Sequence, residues 1–240
     1  MNTNLCSHNL LEDDGNLNAE FWTTEKWQVA EEEYLTKHKS FKNQLFLKRL
    51  LDIILASVAI IILLPLFFII ALAVKISSPG PVLFCQERLG RLGKPFVIYK
   101  FRTMVDGAIY IGAGLNTFKG DPRITPIGKF LREYHLDELP QLFNILRGDM
   151  SLVGPRPLLV SSLSTYTNWQ KKRLLMPPGL TAWEAVNGGL LNNLDKRIQL
   201  DVWYVNNWSF WLDIIIILRT IPVVLRQEGV YEQDNNLSES

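Results

Sequence analysis

The chain has 240 residues, a length typical of one domain with appendages and sufficient to bury a hydrophobic core. Hydrophobic residues make up 48% of it, which excludes a disordered protein, and its 15 glycines and 12 prolines exclude a collagen-like one. The two cysteines, Cys6 and Cys85, cannot form a disulfide framework or a structural zinc site, and they fit a reducing compartment.

The formal net charge of +1 is a sum over unlike segments. Residues 1–36 contain eight acidic side chains and one basic side chain, and residues 230–240 contain three acidic side chains and no basic one. A net charge of +11 therefore remains for the residues between them. A basic body between acidic ends points to an anionic partner, such as nucleic acid, a phosphorylated metabolite or anionic lipid.

Polar and acidic residues dominate both ends of the chain. We predict an acidic N-terminal extension over residues 1–47, with a flexible tail at 1–20 and a helical or loosely ordered segment at 21–47. No cleavable signal pattern opens the chain. Residues 229–240 are predicted to form an acidic C-terminal tail.

The longest apolar stretch covers residues 53–74, where none of the 22 positions carries a charge. A helix of this length can cross a bilayer at ~1.5 Å per residue, and a soluble core helix is rarely apolar on all sides. Pro65 interrupts its hydrogen bonding, and both flanks are basic, which favours the cytoplasmic side for both ends. The sequence therefore predicts a re-entrant, proline-broken helical hairpin over residues 48–75, with a bitopic span as the alternative.

Asp52 lies at the mouth of this segment, where a carboxylate exposed to lipid would be costly. We expect it at the membrane interface, paired with Arg49 or Lys48, or as a charge that complements the start of the helix. The basic residues of both flanks are expected to face anionic lipid headgroups.

Residues 76–228 are predicted to form the globular body. Two short strands, at 82–84 and 95–101, are joined by a basic loop that glycines punctuate. Helices are predicted from apolar spacing at 127–135, 140–146, 200–211 and 213–225. The last two are rich in tryptophan and aliphatic residues, which is typical of helices at a membrane interface or packed on the body. The expected fold is α+β and mainly helical, beside a membrane segment.

Carboxylates and basic residues are the reactive side chains of this body, because histidine and cysteine are too few for a metal cluster and no nucleotide-binding glycine motif is present. Asp137 and Glu138 are adjacent, and four cationic residues accompany them: Lys100, Arg102, Arg132 and Arg156. Arginine and lysine neutralise phosphate oxygens, and carboxylate oxygens hold Mg²⁺. The sequence predicts a site for a phosphate and a divalent metal, with a structural Arg–Asp network as the alternative.

The chain from Lys48 to Leu225 resembles the bacterial sugar transferases, the monotopic phosphoglycosyl transferases that start glycan assembly on a polyprenyl phosphate. Six motifs carry the resemblance, in this order: Lys48–Asp52 (KRLLD), Phe84–Gly90 (FCQERLG), Lys100–Met104 (KFRTM), Leu136–Leu142 (LDELPQL), Gly148–Pro157 (GDMSLVGPRP) and Pro178–Thr181 (PGLT). Larger members of the family carry additional transmembrane helices ahead of this unit, so we expect this chain to be the small, minimal form.

The resemblance implies transfer of a sugar 1-phosphate from a UDP-sugar to undecaprenyl phosphate with release of UMP. Asp137 would attack the β-phosphate, form a phosphosugar-aspartyl intermediate and contact the Mg²⁺ that the family requires. Glu138 would orient its neighbour or handle a proton. The substrate-binding side chains would be basic: Arg88, Lys100, Arg102, Arg132 and Arg156.

One region departs from the family pattern. After the PGLT motif the family commonly continues Gly-x-x-Gln-Val-x-Gly-Arg, whereas Ala182, Ala185 and Gly189 stand at the Gly, Gln and Arg positions here. Loss of an arginine near a diphosphate removes a charge-assisted hydrogen bond. A catalytically weak or inactive membrane-anchored binding or scaffold protein on the same fold is therefore the alternative function.

The expected location is the bacterial inner membrane, with the body facing the cytoplasm. Expected partners are a UDP-sugar, undecaprenyl phosphate and membrane lipids. Nucleic acid is excluded, because the basic residues interleave with an apolar membrane segment and no nucleic-acid-binding motif is present. A homo-oligomer and contacts with other glycan-assembly proteins are compatible with the sequence, which leaves the sugar, the glycan and the oligomeric state open.

Overall fold

The structure is a computed structural model that describes residues 24–37, 41–112, 114, 117–118 and 120–227. The tails predicted at 1–20 and 229–240 lie outside the described residues. The helices are α1 (Thr24–Lys37), α2 (Phe41–Ser77), α3 (Pro126–Glu133), α4 (Gln141–Arg147), α5 (Asn168–Lys171), α6 (Leu194–Asn207) and α7 (Phe210–Leu225). The strands are β1 (Leu83–Leu89), β2 (Pro95–Phe101), β3 (Ser151–Val153) and β4 (Gly179–Thr181). The fold is thus mostly helical with small sheets, as expected.

The two strands predicted around the basic loop are confirmed. They form an antiparallel hairpin in which Leu83 lies opposite Phe101 and Leu89 lies opposite Pro95. Strand β1 extends further than predicted, because the first residues of the expected loop pair with the start of β2. A second, parallel pair joins β3 to β4.

Helix α2 contains the apolar segment and runs without a break through Pro65. Among the described residues it is the one helix long and apolar enough to cross a membrane. On one face, Ala56 and Val74, which lie on opposite sides of Pro65, are fully buried against the body. The other face exposes aliphatic and aromatic side chains along its length. This arrangement is consistent with a monotopic membrane domain, but the helix is continuous at Pro65, so the predicted proline break is not confirmed.

Charged residues at the start of α2, Lys48 and Asp52, are buried in the body, and the interfacial position of Asp52 stays a prediction. Its Oδ1 accepts a hydrogen bond from the Leu152 amide at 2.9 Å. The Lys48 ammonium forms a buried ion pair with Asp213 of α7 at 2.6 Å, and Arg49 donates to the Ile145 carbonyl. Lys48 and Arg49 therefore do not face lipid headgroups, because charges buried by packing need protein partners.

Helix α1 lies within the predicted N-terminal extension and packs on the body. Trp27 is buried against Gly93, in the turn between β1 and β2. The Tyr34 hydroxyl donates to the Val205 carbonyl of α6 at 2.9 Å. Both aromatic side chains belong to hydrophobic core clusters of the body. This part of the extension is therefore a docked element of the fold.

Helices α6 and α7 meet at Ser209, whose side chain caps the start of α7 by accepting from the Leu212 amide. Ile216 on the inner face of α7 is fully buried, whereas Trp211 and Leu225 are exposed. This amphipathic pattern suits the predicted interfacial helix. The predicted helix boundary at residue 211 moves to the cap, since a serine hydroxyl satisfies a backbone amide at the helix start.

Candidate functional site

The two adjacent carboxylates lie in a short turn between α3 and α4. Helix α3 ends at Glu133, before the predicted boundary, because His135 adopts a left-handed backbone with φ of 54°. The next residues, from Leu136 to Glu138, form one turn of 3₁₀ helix, and Pro140 precedes α4. Asp137 is buried in this turn. The turn holds the two carboxylates at fixed positions beside strand β2.

Two cations converge on Glu138. Lys100, near the end of β2, places its Nζ 2.6 Å from Glu138 Oε1. Arg156 places a guanidinium nitrogen 3.6 Å from the same oxygen. Lys100 and Arg156 are far apart in sequence, so the fold brings together two of the predicted phosphate-binding residues at one carboxylate.

Arg156 lies on a constrained stretch of backbone between two prolines. Gly154 donates to the Thr181 carbonyl at 3.0 Å, and Gly179 donates to the Pro155 carbonyl at 3.0 Å. A Cβ atom on Gly154 would lie 2.2 Å from a carbonyl oxygen, so this close backbone approach requires glycine. The Gly148–Pro157 motif therefore positions Arg156 through the packing of its backbone.

The pKa values of the two carboxyls move in opposite directions. Burial raises the pKa of Asp137 to about 6, against the opposing effect of the Lys100 charge. Burial also disfavours ionisation of Glu138, yet the charges of Lys100 and Arg156 outweigh it and lower the Glu138 pKa to about 2. Near neutral pH, Glu138 is ionised because its pKa is far below the pH, whereas Asp137 is ionised at a pH close to its pKa.

Arg132 contributes a further cation from α3. Its Nε donates to the Thr103 hydroxyl at 2.8 Å, which fixes the side chain beside the dyad. Its positive charge lowers the pKa of Asp137 and partly offsets the effect of burial. Arg132 therefore lines the cavity beside the dyad, and its phosphate-binding role stays a prediction.

A cavity of about 280 Å³ opens over the dyad. Predicted site residues line it on one side: Arg88, Lys100, Arg102, Arg132, Asp137, Glu138 and Arg156. Apolar and small side chains, among them Phe84, Ile109, Ala185 and Val223, complete the wall. The cavity is therefore cationic near the carboxylates and apolar elsewhere, which suits a ligand with both phosphate and apolar or sugar portions.

Arg102 has a different role from the predicted one. Its guanidinium donates to the carbonyls of Val74, Ser78 and Pro79 at the end of α2, with the Pro79 and Ser78 oxygens both at 2.7 Å. These bonds satisfy backbone acceptors at a helix end, which have no partner inside the helix. Arg102 borders the cavity but holds α2, so the structure does not support a phosphate-binding role for its guanidinium.

Arg88 lies at the cavity wall on β1. One guanidinium nitrogen donates to Gln86 Oε1 at 2.5 Å and another donates to the Pro157 carbonyl at 3.4 Å. Burial lowers the pKa of Arg88 to about 10, which still leaves it charged at neutral pH. Arg88 therefore joins the hairpin to the segment that carries Arg156 and also adds positive charge to the cavity.

Two residues of the site had no role in the sequence prediction. His135 lines the cavity, and burial lowers the pKa of its imidazole below the usual range. Glu184 also lines it, is almost fully buried, and pairs with Arg197 of α6 at 3.2 Å. The position of His135 directly before the LDELPQL motif could have indicated it, whereas the partner of Glu184 is visible only in the fold.

The segment that departs from the family pattern lies at this cavity. Glu184, Ala185, Gly189 and Leu190 all border it. The small residues at 185 and 189 thus leave space where the family pattern has longer polar side chains. Metal ligation by a ready-made cluster has no support, since the part of the chain that the structure describes holds no group of three or more His, Cys, Asp or Glu side chains.

Comparison with known proteins identifies the same family that the sequence motifs resemble. Residues 43–227 match the family model described as bacterial sugar transferase. The uncharacterized sugar transferase EpsL of Bacillus subtilis (strain 168) is 44% identical over 199 residues, which cover 81% of this chain and 94% of EpsL.

Longer relatives share only this unit. The undecaprenyl-phosphate galactose phosphotransferase of Salmonella typhimurium is 42% identical over 201 residues, which cover 78% of this chain and 42% of that protein. The UDP-glucose:undecaprenyl-phosphate glucose-1-phosphate transferase of Escherichia coli (strain K12) is 42% identical over 186 residues, which cover 73% of this chain and 39% of that protein. The chain therefore spans nearly all of EpsL and less than half of these two relatives.

Proposed function

Because this chain belongs to the bacterial sugar transferase family, we propose that it transfers a sugar 1-phosphate from a UDP-sugar to undecaprenyl phosphate and releases UMP. Relatives whose names state this type of reaction, with galactose or glucose, support the proposal. The release of UMP would distinguish the reaction from that of a glycosyltransferase, which releases UDP.

The observation that carries this proposal is that the two carboxylates of the dyad have different surroundings. Glu138 is ion-paired with Lys100 and Arg156, whereas neither of those pairs involves Asp137. Asp137 faces the cavity and keeps a pKa of about 6. A carboxylate with this pKa is ionised at pH 7 and is more basic than an ordinary aspartate, which favours nucleophilic attack.

In the first step, an Asp137 carboxylate oxygen attacks the β-phosphorus of the UDP-sugar. The bond from that phosphorus to the oxygen bridging the two phosphates breaks, and UMP leaves with the electron pair. Lys100, Arg132 and Arg156 would neutralise the phosphate oxygens as their charge increases. The sugar phosphate is then attached to Asp137.

In the second step, a phosphate oxygen of undecaprenyl phosphate attacks the same phosphorus. The bond to Asp137 breaks, and the aspartate is released as a carboxylate. Two displacements at one nucleophile allow a soluble donor and a lipid acceptor to use the same cavity in turn. The ion-paired Glu138 keeps Lys100 and Arg156 in position through both steps.

Mg²⁺ is part of this proposal, and the donor set fits it. Mg²⁺ is commonly bound through one or two carboxylates together with substrate phosphates, so a cluster of protein ligands is not needed. Asp137, the carboxylate outside the Glu138 ion pairs, would hold it together with the diphosphate. When bound, the ion would neutralise negative charge on the diphosphate oxygens.

The structure also supports a proposal for membrane placement. Helix α2 contacts the body on both sides of Pro65, at Ala56 and Val74, and so both of its ends stay beside the body. A bitopic span would carry one end away to the opposite surface. We therefore favour a re-entrant α2 in the cytoplasmic membrane, with the body on the cytoplasmic side.

The decisive experiment measures UMP release by the purified protein in detergent with undecaprenyl phosphate, Mg²⁺ and a panel of UDP-sugars. Asp137→Asn should lower the rate at least ~1000-fold, since it removes the nucleophile. The matched control is Asp149→Asn, because Asp149 pairs with Arg147 and does not line the cavity.

The outcomes separate the two candidate functions. Release of UDP in place of UMP, or full activity of Asp137→Asn, would refute the proposed reaction. Nucleotide binding without turnover for every sugar would support the membrane-anchored binding protein, which the altered segment at 182–189 left open.

A further inference from the structure

A buried ion pair lies behind the cavity, outside the residues that face it. Arg173, in a 3₁₀ turn after α5, is 1% exposed, and Asp201 of α6 is also 1% exposed. Arg173 Nε donates to Asp201 Oδ2 at 3.1 Å, and a second guanidinium nitrogen contacts the same oxygen. Its remaining terminal nitrogen donates to the Tyr166 hydroxyl at 3.3 Å.

The same guanidinium reaches the backbone of a site residue. Arg173 Nη2 donates to the Arg156 carbonyl at 2.6 Å. Arg156 in turn approaches Glu138 with its own guanidinium at 3.6 Å. A continuous chain of contacts therefore runs from Asp201 through Arg173 and the Arg156 backbone to the catalytic dyad.

Stability alone is a poor reason for this pair. Burying two charges is costly, and an apolar pair of similar volume is often as stable or more stable. Asp201 Oδ1 is buried and has no hydrogen-bond partner among the residues that the structure describes, which adds to the cost. A fork-shaped guanidinium, however, can bind a carboxylate and a carbonyl at the same time in fixed directions.

We propose that Arg173, oriented by Asp201, is a positioning residue that fixes the Arg156 backbone and so presets the Arg156 side chain for the donor diphosphate. The flanking prolines and the glycine contacts at 154 and 179 restrict this backbone, and the Arg173 bond fixes the carbonyl of Arg156 itself. The ligand class, a nucleoside diphosphate, rests on the proposed function.

The test measures the affinity of UDP, at constant Mg²⁺ concentration, by calorimetry on the full chain in detergent. Arg173→Lys keeps the charge but cannot bind Asp201 and the Arg156 carbonyl as a fork. We expect it to weaken UDP binding about tenfold, because small displacements of a phosphate-binding group are costly. Asp201→Asn should have a similar effect.

A double-mutant cycle separates positioning from general structural damage. In an Arg156→Ala background, Arg173→Lys should cause no further loss of UDP affinity, since the residue through which it acts is already truncated. Asp213→Asn is the matched control: it removes a buried, ion-paired carboxylate on α7 that does not line the cavity, and should leave UDP affinity unchanged.

A second variant covers the case in which Arg173→Lys does not fold. The paired replacement Arg173→Met with Asp201→Leu keeps the volume, removes both buried charges and removes the donor to Arg156. It should fold and weaken UDP binding as the single variants do.

Equal loss of UDP affinity in the wild-type and Arg156→Ala backgrounds, or no loss in either variant, would overturn the positioning role. Absence of UMP release with an intact binding cycle would overturn the proposed reaction and support the positioning role, so the two failures are distinguishable.

Discussion

Asp137 and Glu138 are neighbours in the chain, yet their carboxylates meet different surroundings. Successive residues in a tight turn point in different directions, so one carboxylate reaches Lys100 and Arg156 while the other faces the cavity. The cations hold Glu138 in its charged form, and burial raises the pKa of Asp137 to about 6. The surroundings alone give these two chemically similar carboxyls different pKa values, as is common in catalytic carboxylate pairs.

This separation predicts the pH dependence of the reaction. The ionised form of Asp137 is the nucleophile and its pKa is about 6, so activity should be full above that value and fall as pH decreases through it. Between pH 7 and pH 5, kcat/KM for the UDP-sugar should fall about tenfold. Initial rates of UMP release across this range test it.

His135 is the control for that profile, since burial lowers the pKa of its imidazole and it lines the same cavity. His135→Asn should keep the midpoint near pH 6, because asparagine tolerates the left-handed backbone at this position. A midpoint that disappears in this variant would assign the titration to histidine instead of Asp137.

Lys100 should affect both carboxyls, since its charge lowers the pKa of Asp137 and of Glu138. Lys100→Met is expected to lower kcat/KM about 100-fold, because a cation is lost where phosphate charge develops. It should also move the acidic limb of the pH profile to higher pH, because the charge that lowers the pKa of Asp137 is removed. Lys94→Met, in the exposed turn of the same hairpin, is the matched control and should have neither effect. A rate loss without a shift of the limb would contradict the electrostatic role.

At the scale of elements, α1 shows that part of the predicted N-terminal extension belongs to the folded body. Its two buried aromatic residues, Trp27 and Tyr34, lie on one face at helical spacing and enter the core of the body. Glu25, Glu32 and Glu33 are exposed, whereas Glu31 pairs with Arg91 of the body. The many acidic residues are the reason why composition alone predicted a loosely ordered segment. Docking of this helix closes apolar surface that the body would otherwise expose.

Removing the larger of these aromatic residues should be costly. Trp27→Ala is expected to lower the free energy of unfolding by about 3–5 kcal/mol, since it leaves a cavity beside Gly93. Val29→Ala on the same helix, where Val29 is exposed, should change it by less than ~0.5 kcal/mol. Equal denaturation midpoints for the two variants in detergent would show that α1 is not docked in solution.

Helix α2 illustrates how an element can satisfy two environments. One face carries the buried Lys48, Asp52, Ala56 and Val74, and the opposite face is apolar and exposed. The ends of the helix are fixed by arginines: Arg49 binds carbonyls at the end of α4, and Arg102 binds those at the end of α2 itself. The basic flanks therefore anchor this helix to the body.

At the scale of the whole molecule, the body lies along α2 instead of at one end of it. The body contacts α2 on both sides of Pro65. In the proposed re-entrant arrangement, the exposed face of α2 enters one leaflet. The exposed apolar face of α7 can contact the same lipid phase. The cavity would then lie near the membrane surface, where a lipid phosphate and a soluble nucleotide can both reach it.

The proposed membrane topology of α2 can be tested by cysteine labelling. Single cysteines placed at positions 3 and 235, in a background with Cys6 and Cys85 replaced by serine, should both resist a membrane-impermeant maleimide in intact cells. Both should react in inverted vesicles, because a re-entrant α2 leaves both ends of the chain on the cytoplasmic side. Reaction of one position alone from outside would establish a bitopic span.

Much of the local structure could be predicted from the sequence. Alternating and helical spacing indicated the β1–β2 hairpin, α3, α4 and the apolar helix, because these patterns depend on neighbouring residues. The LDELPQL motif also identified Asp137 and Glu138 as the candidate dyad. Some boundaries moved where a cap or a left-handed residue ended an element, as at Ser209 and His135. Others moved because an element is longer than predicted, as in β1, which pairs with β2 as far as Leu89.

The choice of partners was decided by the tertiary structure. The sequence by itself determined that an apolar helix long enough to cross a membrane, a carboxylate dyad and a surplus of cations occur in one chain. It could not show that Lys48 pairs with Asp213, that Arg102 binds a helix end, or that Lys100 and Arg156 share Glu138. Ion pairs form between residues distant in sequence, so burial and long-range packing decide which cations bind substrate and which hold the fold.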